Sequence, residues 1–425
     1  MQHDTAFQMS ASNIRCGQGV TREIGMDLVE LGVRRTMLVI DPALVDLPTG
    51  QVVTESLKKN NIDHAVYDGV DVEPTDATFQ RASRFATDGQ FDSFVAVGGG
   101  STIDTAKAAN LYATYPADFF DYVNAPIGQG KPVPGPLKPL IAVPTTAGTG
   151  SETTGVAIFD WLEKKAKTGI AHRYLKPLLG IVDSDNTRTL PPAVAASSGL
   201  DVLSHALESF TAIPFDSRPR PARPIERPAY QGANPISDVW ALRALELVAE
   251  FLPRAYDDAS DDEARGQMLL AAAIAGIGFG NAGVHLPHGM SYPVAGMVRD
   301  YQPPGYRVDH PMVPHGVSVI LHAPAVVKFT AGVDPQRHLR AGQALGADIA
   351  DAHPEDAGQI LADRIIWFMQ RLGMPNGLSA VGYSEADIPA LVAGTLPQHR
   401  VTKLSPRPAG EAELMHLFRD SMAIW

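Results

Sequence analysis

One cysteine, Cys16, stands in a chain of 425 residues. A lone thiol closes no intrachain disulfide and builds no cysteine-based zinc site, so a reducing compartment fits the chain. Positive charge is scarce as well: 35 Lys and Arg against 47 Asp and Glu leave a formal net charge of −12. That balance argues against non-specific binding to nucleic acid phosphates or anionic lipid, and it requires any anionic ligand to be met by local cations. No window approaches the roughly 18 uninterrupted apolar residues of a membrane span. The first residues, MQHDTAFQMS, lack the basic start and apolar run of a secretory signal, and they carry Asp4 where transit peptides avoid acids. The expectation is a cytoplasmic protein with small-molecule partners, no nucleic acid and no membrane.

What the chain does have is length and apolar content. At 425 residues with 45% hydrophobic composition, it exceeds the size at which one core usually stops growing, which favours two domains. The first half alternates short β-branched runs with helical patterns, as a parallel α/β sheet demands. Thr36 to Ile40, Phe94 to Val97 and Leu140 to Val143 are buried-strand candidates. After Pro191-Pro192, Ala- and Leu-rich helical stretches take over, for example Ile236 to Phe251 and Glu263 to Ile277. The boundary is placed at 190/191, giving an α/β domain over 1–190 and a helical domain over 191–425. Gly128 to Pro139 reads as a surface loop. Ile213 to Pro235, with six prolines and four arginines, reads as a second loop of the long kind that is functional or disordered.

Each strand candidate ends in residues suited to a ligand, and in open α/β sheets ligands collect beyond the carboxyl ends of strands. Gly98-Gly99-Gly100-Ser101 follows a strand and opens a helical run, so backbone N–H groups at a helix N-terminus are offered to a pyrophosphate. The loop lacks both the Gly-x-Gly-x-x-Gly spacing and a P-loop lysine, so alone it also reads as a tight strand-to-helix turn. Asp41 ends the first strand, where its carboxylate suits the two ribose hydroxyls of NAD and repels a 2′-phosphate. It doubles as an Asp-Pro turn starter. Pro144 to Glu152 (PTTAGTGSE) adds four hydroxyls to the same edge.

Asp201 and His205 stand at i and i+4 in GLDVLSHALESF, on one helix face about 6 Å apart. His285, His288, His310 and His315 follow within 31 positions of a chain with 13 histidines. Imidazole and carboxylate together suit Fe²⁺ or Zn²⁺. Spacing alone leaves open which histidines ligate.

The strings GGGSTIDTAKA, PTTAGTGSE, GLDVLSHALESF, PHGMSYP and VPHGVSVIL together resemble the iron-containing alcohol dehydrogenases, from about Ser12 to the C-terminus. The resemblance implies the dehydroquinate synthase-like fold, an α/β dinucleotide-binding domain followed by an all-α metal-binding domain. It carries metal ligands to Asp201, His205, His288 and His315, and NAD contacts to Asp41, Gly98, Gly99, Gly100, Ser101, Thr145, Thr146, Thr149 and Lys167. It also implies an oligomer of identical chains. RPAYQGANPISD, GIGFGNAGVHLPHGMSYP, DHPMVPHG and GYSEADIPALVAGTLPQHRVTKLSP are similar to the family's hydroxyacid–oxoacid transhydrogenase branch. That likeness implies hydride exchange between 4-hydroxybutyrate and 2-oxoglutarate, giving succinic semialdehyde and D-2-hydroxyglutarate, with the nicotinamide retained. Two features depart from the wider family. Tyr292 replaces a histidine regarded as a proton-relay group, so Tyr292 or His285 is expected to fill that role. The interval from His288 to His315 is also longer than usual, as in the transhydrogenase branch.

Both substrates carry a carboxylate remote from the reacting carbon, and arginine's planar fork meets a carboxylate in two parallel hydrogen bonds. Arg218 and Arg227 of the 213–235 loop are the expected clamp. The competing functional readings are an NAD-dependent alcohol or 4-hydroxybutyrate dehydrogenase on the same site, and a nucleotide-binding regulatory protein with a degenerate site.

Overall fold

Alternation along three strands builds the sheet at the heart of the first unit. In the computed structural model, which describes residues 2–425 apart from Lys165, Arg307 and Asp309, the chain forms two compact units. One is Ser10–Leu190; the other joins Met1–Met9 to Pro191–Trp425. The opening nine residues, placed with the α/β domain on sequence grounds, thus belong to the helical unit.

In the unit Ser10–Leu190 the strands are β1 (Asn13–Cys16), β2 (Arg35–Ile40), β3 (Asp63–Tyr67), β4 (Ser93–Gly98), β5 (Leu140–Pro144), β6 (Val156–Trp161), β7 (Ala166–Ala171) and β8 (Leu179–Val182). Six of them pair in the order β1-β8-β5-β4-β2-β3, all parallel. On β2, β4 and β5, Leu38, Ile40, Val95, Val97, Ile141 and Val143 pack on one face with Ile24, Val53 and Leu57. The intervening Met37, Val39, Phe94, Ala96 and Ala142 pack on the other with Ala82, Ile103 and Ala106. Burial on both faces explains why these strands read as continuous apolar runs. β6 and β7 form a separate antiparallel hairpin.

The helical unit is organised on Pro192–Thr211, a helix buried almost throughout from Ala195 onward. Pro192 suits its first turn, where a missing N–H costs no helical bond. Gly316 matters most here: a Cβ at that position would lie 1.9 Å from the Ser197 carbonyl oxygen. Only glycine lets the His315–Ile320 helix come this close to Pro192–Thr211. Among the described residues, no single helix is long and apolar enough to cross a membrane. Gly128–Pro139 holds no regular element. The 213–235 segment is instead ordered, with turns at Phe215–Ser217 and Pro224–Glu226 and a bridge from Pro214 to Ala233.

Candidate active site

Three histidines converge on one carboxylate inside the helical unit. Asp201 Oδ1 lies 3.8 Å from His205 Nε2, 3.6 Å from His288 Nε2 and 3.8 Å from His315 Nε2. The four ligand atoms all fall within 4.8 Å of one another. Around an ion about 2.1 Å from each ligand, tetrahedral neighbours stand about 3.4 Å apart, so a small inward movement completes a coordination shell. Asp201 and His205 come from successive turns of Pro192–Thr211, His288 from Leu286–Gly296, and His315 from the first position of His315–Ile320. The first three side chains are 3–6% exposed and His315 is 24% exposed, so the cluster opens on the His315 side.

Chemistry as well as spacing fits a cation. His288 Nε2 is buried with no hydrogen-bond partner among the described residues, a position that costs about 1–3 kcal/mol if nothing coordinates it. Its other nitrogen, Nδ1, meets the Glu208 carboxylate. Glu208 Oε1 also accepts the backbone N–H of His285 at 2.8 Å and of His288 at 3.2 Å. With Nδ1–H committed to Glu208, the Nε2 lone pair faces the cluster. Burial pushes the Glu208 carboxyl up, but His288 and His285 outweigh it and hold the group below the usual carboxylate range. The His205 ring stacks on Phe279, with centroids 3.9 Å apart and planes at 6°. Sequence reasoning missed Glu208, although it is legible in D-x₃-H-x₂-E: position 208 shares a helix face with 201 and 205.

Tyr292 follows His288 by one helical turn and is buried. Its hydroxyl accepts from Arg400 Nη2 at 3.2 Å. His285 is the residue before the Leu286–Gly296 helix, its Nε2 3.0 Å from the Thr211 hydroxyl. Burial lowers its pKa to about 4, which keeps the ring neutral at ordinary pH. His310 is exposed.

The predicted arginine clamp is not free to act as one. Arg218 Nη2 lies 2.8 Å from Asp4 Oδ2 and also donates to the Ala6 carbonyl. Arg227 grips both Asp4 oxygens at 3.0 Å. Both guanidinium groups pair with a buried internal carboxylate, which pins the opening residues to the 213–235 loop, although Arg218 Nη1 has no hydrogen-bond partner among the described residues. The sequence offers no sign of this, because the partners lie more than 200 positions apart.

In the Ser10–Leu190 unit the nucleotide candidates follow the carboxyl ends of β2, β4 and β5, except Lys167, which lies near the start of β7 in the separate hairpin. The Gly100–Thr114 helix starts at once after β4, with Gly99 as its N-cap. A Cβ on Gly99 would approach Thr146 Cγ2 to 3.1 Å, and one on Gly100 would approach Thr149 Cγ2 to 2.6 Å. The glycines thus let the loop lie directly against the threonines of PTTAGTGSE. That arrangement is locked by buried Asp104: Oδ1 accepts from Ser151 Oγ at 2.5 Å and Oδ2 from Ile158 N at 2.8 Å. Asp41 caps its own turn through Ala43 N at 2.9 Å, so the turn-starter role is real. Ser101 Oγ accepts from Glu73 N at 3.2 Å rather than capping the helix, and its O–H remains a donor. Thr145 is buried. Lys167 is buried between Glu73 Oε2, at 2.6 Å, and Asp160 Oδ1, at 3.0 Å.

Comparison with known proteins agrees with this architecture. The pattern described as Iron-containing alcohol dehydrogenase matches residues 11–184, and that of the Fe-containing alcohol dehydrogenase family, C-terminal, matches 225–422. The mitochondrial hydroxyacid-oxoacid transhydrogenase of Mus musculus is 59% identical over 424 residues, covering 99% of this chain and 91% of the mouse protein. A probable mitochondrial hydroxyacid-oxoacid transhydrogenase of Dictyostelium discoideum is 54% identical, covering 99% and 80%. Among solved structures, a 1,3-propanediol oxidoreductase superposes with TM-score 0.85 at 26% identity, over 98% of this chain and 100% of that one. Sulfoacetaldehyde reductase from Bifidobacterium kashiwanohense, in complex with NAD+, gives TM-score 0.81 at 25% identity, over 99% and 100%. The relatives' names correct the cytoplasmic expectation and point to mitochondria. The physical reason lies in Asp4, read as a residue that a transit peptide avoids. It is a buried ion-pair partner inside the folded unit, so the residues around it carry no information about compartment.

Proposed function

The chain belongs to the iron-containing alcohol dehydrogenase family, and from that premise we propose that it is a hydroxyacid–oxoacid transhydrogenase. 4-Hydroxybutyrate gives up a hydride from its alcohol carbon and the hydroxyl proton, becoming succinic semialdehyde. 2-Oxoglutarate takes a hydride at its keto carbon and a proton on oxygen, becoming D-2-hydroxyglutarate. Hydride and proton counts balance, so a retained nicotinamide suffices and no net NAD is consumed. The observation that carries the reading is the match to curated transhydrogenases over 99% of the chain, on a structure that brings one carboxylate and three imidazole Nε2 atoms together.

A divalent cation, Fe²⁺ or Zn²⁺, held by Asp201, His205, His288 and His315 supplies Lewis acidity at the substrate oxygen, while NAD carries the hydride. Asp41, Gly98 to Ser101, Thr145, Thr146 and Thr149 are the residues proposed to hold NAD. Lys167 stands with them as a buried cation whose charge Glu73 and Asp160 already offset. Glu208 fixes the orientation of His288. Tyr292 is the proposed proton group: it shares the face of His288, and its hydroxyl accepts a hydrogen bond from the Arg400 guanidinium. His285, turned toward Thr211, is proposed to support the start of the ligand helix. The working unit is proposed to be an assembly of identical copies, which light scattering on the purified enzyme measures.

The decisive assay mixes 4-hydroxybutyrate with 2-oxoglutarate and purified enzyme without added NAD. Succinic semialdehyde and D-2-hydroxyglutarate are expected to form in equal amounts. Strict dependence on added NAD, with one NADH per alcohol oxidised, would replace this reading by an ordinary dehydrogenase.

A further inference from the structure

The two substrates differ in charge and oxidation state but share one dimension. In 4-hydroxybutyrate the carboxyl carbon is three C–C bonds from the alcohol carbon, and in 2-oxoglutarate the distal carboxyl carbon is three C–C bonds from the keto carbon. A single cation at a fixed distance from the reacting carbon therefore recognises both. In a chain of net charge −12, such a cation has to be held apart from the abundant acids, and Arg218 and Arg227 fail that condition on Asp4.

Arg400 meets it. Its guanidinium bonds the Tyr292 hydroxyl at 3.2 Å and lies 4.9 Å over the Tyr230 ring. Among the described residues it forms no ion pair: its neighbours are two phenols, and it is half-buried. It is also close to the ligand cluster. Tyr292 stands one turn beyond His288 on the same helix. Local packing holds it there, because the short His399–Thr402 helix rests on Gly289, where a Cβ would come within 2.6 Å of Thr402 Cγ2. Gly289 directly follows His288, so the same absence of a side chain brings the arginine's helix against the ligand's helix. A half-buried guanidinium without an acid partner, flanked by aromatic faces, is a ready carboxylate receptor.

We propose that Arg400, oriented by Tyr292 and Tyr230, is the specificity-determining residue that binds the remote carboxylate common to the hydroxyacid and the oxoacid. The assignment rests on the transhydrogenase reading for the identity of the substrates. One receptor then serves both half-reactions, and its fixed distance from the reacting centre measures chain length. 3-Hydroxypropionate and 5-hydroxypentanoate are thus worse substrates than 4-hydroxybutyrate, whereas the matched neutral amides show a flatter dependence on length.

The test compares wild type with Arg400→Gln and Arg400→Lys, using 4-hydroxybutyrate, 2-oxoglutarate and the neutral analogue 4-hydroxybutyramide. Arg400→Gln is expected to raise KM for both acids about 10- to 100-fold, leaving the amide KM and the metal content unchanged. Arg400→Lys, which keeps the charge and loses the fork, falls between. Equal losses for acid and amide, or unchanged KM for the acids, overturn the assignment; if the Gln variant fails to fold, the Lys variant decides on the same acid-to-amide ratio. Calorimetric titration with butyrate, which cannot react, separates this proposal from the one beneath it. If wild type shows no cofactor-free turnover, the transhydrogenase reading fails, yet butyrate binding lost in Arg400→Gln still upholds the carboxylate site. Equal butyrate binding by both proteins overturns it.

Discussion

A histidine ligates through one nitrogen, and the bond made by the other nitrogen selects which one. At His288 that selection falls to Glu208, whose carboxylate also holds two backbone N–H groups at the start of the ligand helix. Glu208→Gln preserves shape but removes the charge that favours Nδ1–H. We expect it to weaken metal binding about 10- to 100-fold, measured as metal retained across a chelator series, with little change in circular dichroism. Metal affinity equal to wild type would reduce Glu208 to a helix cap. Asp4 is the other buried carboxylate with a defined job. Asp4→Ala leaves Arg218 and Arg227 without their shared acceptor, so trypsin is expected to cut the 213–235 segment faster while metal content stays the same. An unaltered digestion pattern would show that other contacts suffice to hold the segment.

Among the elements, the glycine turn after β4 exists to keep side chains out. Gly100→Ala places a methyl group 2.6 Å from Thr149 Cγ2 and 2.9 Å from its Oγ1, so the threonine or the helix start has to move. NADH binding, followed by nicotinamide fluorescence, is expected to weaken, with metal content unaffected because the ligand cluster lies in the other unit. The central strands were readable because burial on both faces gives continuous apolar runs. The outer strands were not: β1 is NIRC and β3 is DHAVY, both only partly buried, and their strand character comes from pairing rather than composition. The 213–235 segment reads as a loop by its prolines, yet its order comes from Asp4, which no local pattern connects to it.

On the scale of the whole molecule, two buried groups tilt stability in opposite directions with pH. Burial lowers His322 from its ordinary 6.5 to about 3. As pH falls below about 6.5 the unfolded chain takes up a proton that the folded chain refuses, so stability drops between about pH 6.5 and 3. Burial raises Glu152 from 4.5 to about 7, although Lys107 pulls it down. Between about pH 4.5 and 7 the folded chain keeps a proton that the unfolded chain has released, so this contribution is lost as pH rises through that window. Thermal melts across pH should show His322→Leu flattening the acid limb, and Glu152→Gln raising Tm at pH 8 relative to pH 5. Limbs unchanged in both variants would assign the pH dependence to other groups.

The Asp201–His205 pair, the glycine turn and the central strands follow from local rules, because helical and strand periodicity decide what is adjacent within one turn or one pleat. Motif resemblance extended that reading to His288 and His315. Only the tertiary structure closed Arg218 and Arg227 onto Asp4, set Glu208 behind His288 and left Arg400 beside Tyr292 with no ion pair among the described residues. These outcomes join residues from 80 to more than 200 positions apart. They depend on how closely helices pack, as at Gly316 against the Ser197 carbonyl and Gly289 against Thr402, and helix spacing is a property of contact that sequence periodicity does not encode.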